Sequence, residues 1–351
     1  SGAWIMAYTT IDDPTLYFSS TIWTGNATDD RAIVIDGTGM QPDFVWIKSR
    51  NDTDNHRLVD SVRGATKHME SDGSGAEQTS SNVKTFTSTG VTLSTNGAVN
   101  ANSELYASWA WKAGTSFTND ASGTGIGSID SAGSASDASG FSIVSYTGTE
   151  SAGTIKHGLS SVPKMIIAKD RDSGSLSWFV GHASLGFTKR LKLDGTNAGA
   201  DNTVWNNTSP TSSVFSVGDS ANANTSGNAI IAYCFADVKG YSKFSSYTGN
   251  GNANGTFVYL GFKPAFMMVK DTANAGDWTI QDSARDSYNF ADARLYANLN
   301  NAENDGTHGV DFLSNGFKIR TTSVGWNRSN TKYIYMCFAE NPFVTSTGIP
   351  A

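Results

Sequence analysis

The chain is poor in cysteine, in charge and in long apolar runs, and each shortage excludes a class of protein. Two cysteines, Cys234 and Cys337, occur in 351 residues, which excludes a disulfide-stapled scaffold and leaves burial to hold the fold. No apolar stretch approaches the ~18 residues of a membrane-spanning helix. The N-terminus lacks the basic-then-apolar order of a signal peptide.

Charge is scarce and slightly negative overall. Charged residues make up 16% of the chain, against about 25% in an ordinary globular protein. The formal net charge of −7 and the pI near 5.2 argue against nucleic acid or an anionic membrane as the main partner. Ser, Thr, Asn and Gly supply the surface polarity instead, as in many extracellular β-proteins. We therefore expect no nucleic-acid binding and no membrane insertion.

Motifs for metal or catalytic chemistry are also missing. No Cys-x-x-Cys or His-Glu-x-x-His motif occurs, and the five histidines are scattered: His56, His68, His157, His182 and His308. Glu is scarce, and no spacing selects a carboxylate pair of the kind that a glycosidase needs. The sequence thus predicts no catalytic residues and no enzyme, with a polysaccharide depolymerase as the alternative.

What the chain does contain is one short frame, present three times. Pro opens an apolar run and Lys closes it six positions later, at Pro42–Lys48, Pro163–Lys169 and Pro264–Lys270. A Pro at the first residue of a strand costs no ladder hydrogen bond, and the run is too short for a buried helix. Each frame predicts a central strand that is buried on both faces.

Other landmarks recur around this strand in the same order. An aromatic-Thr-Gly turn precedes each Pro, ending at Gly25, Gly148 and Gly249. An Asn followed nine to eleven residues later by an apolar strand closes each copy, at Asn100, Asn224 and Asn327. The second and third copies are 101 residues apart at both the Gly and the Pro landmark. The internal repeat therefore organises the whole chain.

Each copy of about 100 residues has the composition of a β-sandwich. Short runs rich in Val, Ile, Phe, Tyr and Trp alternate with Gly, Asn and Ser clusters, and no helical period is sustained. We predict an all-β protein of three tandem β-sandwich domains, jelly-roll or concanavalin-like. The predicted divisions are a lead-in (1–15), repeat A (16–113), a linker (114–139), repeat B (140–239), repeat C (240–343) and a tail (344–351).

The connections between repeats differ in length and composition. Residues 114–139 are rich in Gly, Ser, Ala and Asp, which favours a flexible linker or a loosely packed arm. Repeats B and C are joined with almost no intervening chain. We therefore expect B and C to move as one body and A to move more freely.

Acidic residues that follow two of the Pro-to-Lys strands are candidate cation ligands. Asp52 and Asp54 follow the first strand, and Asp170 and Asp172 follow the second. Alternating loop oxygens can hold Ca²⁺, although stabilisation of the turns is the simpler interpretation. A structural calcium ion is the one cofactor that the sequence suggests.

Two loop tryptophans are candidate ligand-binding residues. Trp205 lies beside Asn206 and Asn207, and Trp326 lies beside Asn327. Exposed there, they could stack on sugar rings; the alternative is that they anchor their loops against the edge of a domain.

Two recurring features have simple structural interpretations. Cys234 and Cys337 occupy equivalent positions in apolar strands, so we expect two small buried hydrophobic residues and not an interdomain disulfide or a reactive thiol. The repeated Asp-Ser-x-Arg, at Asp60–Arg63 and Asp282–Arg285, predicts a local Asp–Arg pair.

Taken together, the landmarks resemble a repeat domain found in virion proteins of tailed bacteriophages, especially marine ones. The matching pieces are the aromatic-Thr-Gly turn, Gly-x-x-Pro-x-Phe-x-x-x-Lys, Asp-Ser-x-Arg, Gly-Phe-Lys-Ile and the Asn that precedes Tyr-Cys-Phe-Ala. The opening Met6-Ala7-Tyr8-Thr9 is also similar. The resemblance extends from about residue 6 to Phe343.

This resemblance implies a noncatalytic structural protein of the virion. We expect a tail-fibre or adhesin module that contacts other virion proteins and binds host-surface polysaccharide. A capsid or tail decoration protein without a ligand is the alternative. Likeness to fibres also implies a homotrimer, although no coiled-coil heptad supports one.

Overall fold

The three Pro-to-Lys frames are central strands in a computed structural model, which describes residues 8–35, 39–306 and 309–351. All six residues of Phe44–Ser49 and of Met165–Asp170 are buried, as are the last eight of Phe262–Asp271. The prediction of strands buried on both faces is confirmed. Met6 and Ala7 of the lead-in, and His308, lie outside the described residues.

Repeat A follows a short 3-10 turn at Pro14–Leu16 and builds two antiparallel sheets. The main sheet has the order β1-β9-β3-β4 and the smaller one has the order β2-β8-β7, with β5 and β6 paired beside them. Its elements are β1 (Phe18–Thr24), β2 (Arg31–Val34), β3 (Phe44–Ser49), β4 (Arg57–Asp60), β5 (Lys67–His68), β6 (Gln78–Thr79), β7 (Val83–Thr87), β8 (Gly90–Leu93), α1 (Gly97–Asn100) and β9 (Leu105–Trp111).

Repeat B has a wider main sheet, with β13 and β18 as its smaller sheet. The main order is β10-β11-β12-β19-β14-β15-β16-β17. The elements are β10 (Thr115–Asn119), α2 (Ala121–Thr124), β11 (Ser131–Ser136), β12 (Phe141–Thr147), β13 (Gly153–Lys156), β14 (Met165–Asp170), β15 (Phe179–His182), β16 (Lys189–Lys192), β17 (Ala200–Asp201), β18 (Val214–Val217), α3 (Ala221–Asn224) and β19 (Ala229–Phe235).

Repeat C returns to the pattern of repeat A. Its main order is β20-β27-β22-β23-β24 and its smaller sheet is β21-β26-β25. The elements are β20 (Ser242–Thr248), β21 (Phe257–Tyr259), β22 (Phe262–Asp271), β23 (Thr279–Asp282), β24 (Leu295–Tyr296), β25 (Val310–Leu313), β26 (Gly316–Ile319), α4 (Val324–Asn327) and β27 (Lys332–Pro342). None of the helices in the described part of the chain is long and apolar enough to span a membrane.

Each central strand divides its side chains between two cores. In β3, Val45 and Ile47 pack into a cluster confined to repeat A, whereas Phe44 and Trp46 pack on the opposite face. Repeats B and C have corresponding clusters of their own. The protein is therefore all-β and built of sandwiches, as the sequence predicts, because alternate side chains of a strand point to opposite faces.

The opposite faces of the three main sheets meet in one shared central core. Trp111 shows this directly, because its ring lies 5.2 Å from that of Phe44 in repeat A, 6.4 Å from Phe235 in repeat B and 5.7 Å from Phe338 in repeat C. Aromatic and aliphatic side chains from all three repeats complete the cluster. The repeats thus surround a common interior.

Backbone hydrogen bonds join the repeats in a closed cycle. The amide of Glu77 in A donates to the carbonyl of Arg171 in B at 2.7 Å. Gly199 in B donates to Thr272 in C at 2.9 Å, and Glu303 in C donates to Arg50 in A at 2.5 Å. The three acceptors hold equivalent positions, each two residues after the Lys that ends the recurring frame, so the last repeat closes back on the first.

A ring N–H reaches across each interface in the same cyclic manner. Trp178 donates to the carbonyl of Glu70 and Trp278 donates to that of Lys192, each at 2.8 Å. The equivalent residue of repeat A is His56, whose Nε2 lies 2.8 Å from the carbonyl of Tyr296. In repeat A, His56 therefore makes the hydrogen bond to a neighbouring repeat that a tryptophan makes in repeats B and C.

The closing strand of each repeat supplies a second polar contact across the interface. Tyr233 donates to Asp60 at 2.7 Å, and Trp109 donates to Asp282 at 2.9 Å. The equivalent residue of repeat C is Met336, which cannot donate. At that interface His182 replaces the Asp, and its Nε2 lies 3.4 Å from the carbonyl of Tyr335.

Ion pairs add to two of the three interfaces. Glu77 accepts both from Arg171 of repeat B, at 2.9 Å, and from Arg63 of its own repeat. Glu303 accepts from Arg50 of repeat A at 2.6 Å and from Arg285 at 2.9 Å. Arg63 and Arg285 also pair with Asp60 and Asp282, which confirms the predicted Asp–Arg pairs.

The recurring Gly and Asn landmarks are in contact with each other. The Asn100 side chain accepts from the amide of Asn26, directly after Gly25, and Asn327 accepts from Asn250 in the same way. A Cβ on Gly25 would lie 1.8 Å from the carbonyl oxygen of Ala101. The turn therefore requires Gly because the backbone segments approach too closely for any side chain.

The structure corrects two expectations about organisation. Residues 114–139 are not a flexible linker, because β10 and β11 pair with each other and β11 pairs with β12, which extends the sheet of repeat B. Repeat A is not a separately moving body, because it shares the central core and interfaces with both other repeats.

The cysteines are free and buried, as predicted, and burial raises the pKa of the Cys234 thiol to about 12.

We predict that the three repeats unfold in a single cooperative transition. Trp111→Ala should lower the free energy of unfolding by about 3–5 kcal/mol, because it opens a cavity lined by all three repeats. Circular dichroism and intrinsic fluorescence should report the same midpoint. Ile22→Ala, at a side chain that is 45% exposed, is the control with little effect. Separate transitions for repeat A would contradict the shared core.

His56 should remain neutral in the folded protein well below pH 6. Burial, and then the charge of Lys48, lowers its pKa to about 3. Trp46 donates to Nδ1 at 2.7 Å, so Nε2 carries the proton. Because the folded pKa is depressed, this residue's contribution to stability is complete above pH 6.5 and is lost as the pH falls toward 3. Nitrogen-15 NMR should show the Nε2–H tautomer without titration between pH 8 and 5; an imidazolium signal in that range would refute the assignment.

Candidate functional site

Both tryptophans predicted as sugar-stacking residues are buried. Trp205 has no exposed surface and packs edge-on against Phe187, with ring centroids 6.1 Å apart. Trp326, in α4, is 2% exposed and belongs to the sandwich core of repeat C. The expectation of exposed stacking platforms is wrong, and the alternative of loop anchors is correct.

The acidic residues predicted as calcium ligands stabilise their own loops. The Asp170 carboxylate accepts from the amides of Asp172 and Ser173 at 3.0 and 2.9 Å, and Asp172 accepts from the amide of Ala229 at 2.7 Å. Asp52 accepts from the amide of Thr53 at 2.6 Å. Asp54 is partly buried in the same turn as Asp52. Over residues 8–35, 39–306 and 309–351, no three His, Cys, Asp or Glu side chains form a group suited to a metal ion.

A lysine ammonium supplies the positive charge in these loops. Lys48 Nζ donates to the carbonyls of Ser49 and Asp52 at 2.7 and 2.9 Å. Lys169 donates likewise to Asp170 and Ser173, at 2.7 and 3.1 Å. Carbonyl oxygens that could face a metal therefore bind the Lys that ends each frame. Burial lowers the pKa of Lys48, Lys169 and Lys270 to about 8.

We predict a distinct alkaline pH dependence from these lysines. The unfolded chain holds the Lys169 proton up to about pH 10.5 and the folded chain up to about pH 8, so deprotonation favours the fold between these values. The free energy of unfolding of the wild type, relative to that of Lys169→Met, should rise as the pH rises from 8 to 10.5 and should be constant below pH 8. Denaturant unfolding across this range measures this difference. The titration of tyrosines affects both proteins equally and therefore cancels. A flat difference would contradict the lowered pKa.

An open cleft lies at the edge of repeat C, between the β23–β24 pair and α4. Its volume is about 200 Å³. The two strands pair Thr279 with Tyr296, which places both side chains on the sheet face that carries the sandwich core. The cleft is lined by Ala275, Gly276, Asp277, Thr279, Arg294, Tyr296, Ser323, Val324, Gly325 and Trp326.

Two buried donors without partners belong to residues that line this cleft, Arg294 and Trp326. The Arg294 guanidinium lies 5.2 Å from the Tyr296 ring centroid, and among the described residues it forms no ion pair. Its Nε and the Trp326 indole nitrogen are both buried without a hydrogen-bond partner. Buried donors are normally paired, so an unpaired set indicates a place where a ligand or water completes the bonding.

Asp277 supplies the acceptor of the cleft. Its Oδ1 accepts a hydrogen bond from the side-chain amide nitrogen of Asn298 at 2.7 Å, which fixes the orientation of the carboxylate. It is the one carboxylate among the lining residues, whereas hydrolysis of a glycosidic bond uses a pair. The arrangement can bind a polar ligand through donors, an acceptor and an aromatic ring.

The equivalent faces of repeats A and B are closed by their own side chains. In repeat A the counterparts of Thr279 and Tyr296 are Arg57 and Glu70, which form an ion pair at 2.5 Å. In repeat B the counterpart of Thr279 is Phe179, and Arg190 stacks over its ring at 4.9 Å. The small Thr279 leaves this space open in repeat C.

Comparison with known proteins yields a single family match. Residues 13–342 match the model of a family described as a domain of unknown function, DUF7483. The chain belongs to the DUF7483 family. No curated protein and no solved structure matches the chain.

Of the residues that line the cleft of this DUF7483 chain, the sequence analysis names Trp326 alone. The sequence predicts Trp326 as a binding residue, but as an exposed one. Arg294 and Tyr296 flank Leu295, and the sequence analysis selects neither of them. A comparison of the residues flanking Leu295 and Leu191 would have shown that only repeat C places Tyr beside Arg at this edge.

Proposed function

We propose that this protein is a noncatalytic structural protein of a phage particle and binds host-surface saccharides. The observation that carries this proposal is the cleft of repeat C, where Tyr296, Arg294 and Asp277 accompany the unpaired indole N–H of Trp326. Aromatic rings and fixed polar groups are the combination that recognises the apolar faces and hydroxyls of a sugar. The virion assignment rests on the resemblance of the repeat.

The architecture supports a role in attachment. The shared core and the cyclic interfaces hold the cleft on a rigid body, which reduces the entropy lost when a ligand binds. Tyr288 is 86% exposed and Phe290 is 50% exposed on the loop that leads to Arg294. Exposed aromatics on a loop are typical of a binding protein.

The single carboxylate in the cleft favours binding over the depolymerase alternative. An open cleft lined by an aromatic ring and polar side chains favours ligand binding over the decoration alternative. Other virion proteins remain the expected partners for assembly, and a homotrimer remains a prediction from the resemblance.

Incubation with host-envelope polysaccharides should give retention of the protein without new reducing ends. Tyr296→Ala should weaken retention about tenfold, which corresponds to the loss of about 1.4 kcal/mol of contact between the ring and the sugar face. Lys192→Ala, at the equivalent edge position of repeat B, is the matched control and should leave retention unchanged.

Two outcomes would overturn the proposal. New reducing ends would indicate a depolymerase. Absence of retention on both isolated polysaccharide and intact host envelopes would favour a decoration protein without a ligand.

A further inference from the structure

We infer that the cleft of repeat C selects an acidic sugar, one that carries a carboxylate as well as hydroxyl groups. This inference rests on the proposed function and names the chemical class of its ligand. It assigns Arg294 to the carboxylate, Asp277 to a hydroxyl and the Tyr296 ring to the sugar face.

Arg294 supplies the charge that an acidic ligand would neutralise. Several guanidinium groups of the repeats are neutralised within the chain: Arg57 by Glu70, Arg63 by Asp60 and Arg285 by Asp282. Arg190, the counterpart of Arg294 in repeat B, stacks on the Phe179 ring and forms no ion pair among the described residues. Arg294 has no such carboxylate among the described residues, although Asp277 lines the same cleft. Because a guanidinium binds a carboxylate through two parallel N–H donors, a carboxylate on the ligand fits it better than a neutral hydroxyl.

Asp277 restricts the kind of anion that can enter. An inorganic anion without a hydroxyl group, such as chloride or sulfate, would meet its negative charge and offer it no donor. A sugar hydroxyl can donate to the carboxylate oxygen that Asn298 leaves free. The ligand must therefore carry both hydroxyl donors and a negative charge, which describes a uronic acid or a related acidic sugar.

The size of the cleft restricts the ligand further. Its volume of about 200 Å³ lies below the ~300–1,000 Å³ that is usual for drug-sized ligands. The cleft therefore accommodates a single sugar residue, and a polysaccharide would bind through one acidic unit at a time.

The test compares three small probes on the intact protein: glucuronate, glucose and inorganic phosphate. Calorimetry or ligand-observed NMR should show binding of glucuronate at least about tenfold tighter than glucose, since a charge-assisted hydrogen bond is stronger than a neutral one. Added salt should weaken the binding of glucuronate. Polygalacturonate should likewise be retained in preference to dextran.

Variants separate the charge from the shape of the site. Arg294→Gln should reduce glucuronate affinity about tenfold or more and leave the weak binding of glucose unchanged. Arg294→Lys keeps the charge without the paired donors and should fall between wild type and Arg294→Gln. Arg190→Gln, the equivalent change in repeat B, is the matched control; unaltered thermal unfolding of each variant verifies the fold.

The outcomes distinguish this inference from the proposed function. Equal retention of neutral and acidic polysaccharides, unaffected by Arg294→Gln, would overturn the inference and leave saccharide binding intact. Phosphate that competes as well as glucuronate would reduce the cleft to a simple anion site and also overturn it. Retention of no saccharide would overturn both.

Discussion

Burial of the central strand on both faces is the constraint on which the rest of the structure depends. One face of each such strand is covered by its own repeat, but the other carries large side chains such as Trp46 or Phe266, which a single repeat leaves uncovered. Three repeats that surround one interior solve this problem together, because each covers the other two. The closed cycle follows from the same need, since an open array would leave a terminal face of aromatic side chains in water.

The polar contacts between repeats show how a repeated sequence diverges without losing its interfaces. His56 replaces a tryptophan and keeps the donor that crosses to the next repeat. Where Met336 removes a donor, His182 replaces the acidic acceptor, and the contact is made to a backbone carbonyl instead. A buried Asp opposite Met336 would have lacked a partner, and an unpaired buried charge is more costly than the loss of the contact.

Divergence of the same kind produced the cleft. The edge of the main sheet is occupied by an ion pair in repeat A and by a stacked Arg–Phe pair in repeat B. In repeat C the smaller Thr279 leaves the space between Arg294, Tyr296 and Trp326 open. The repeats provide the scaffold three times, and an open cleft lined by polar side chains lies at the edge of repeat C.

Local sequence patterns are enough to predict the repeat, the central strands, the sandwich class and the burial of the two cysteines. These features depend on local patterns, such as the Pro-to-Lys frame and the Gly25–Asn100 landmarks, which recur at matching positions. The shared core, the extension of a sheet by β10 and β11, and the burial of Trp205 and Trp326 emerge only from contacts in the folded chain. Composition could not reveal these outcomes, because the Ser- and Gly-rich arm is held by backbone hydrogen bonds that any side chain permits. The cleft could not be predicted either. It depends on which of the three equivalent edges is left open by its side chains, and that is set by contacts between residues far apart in the chain.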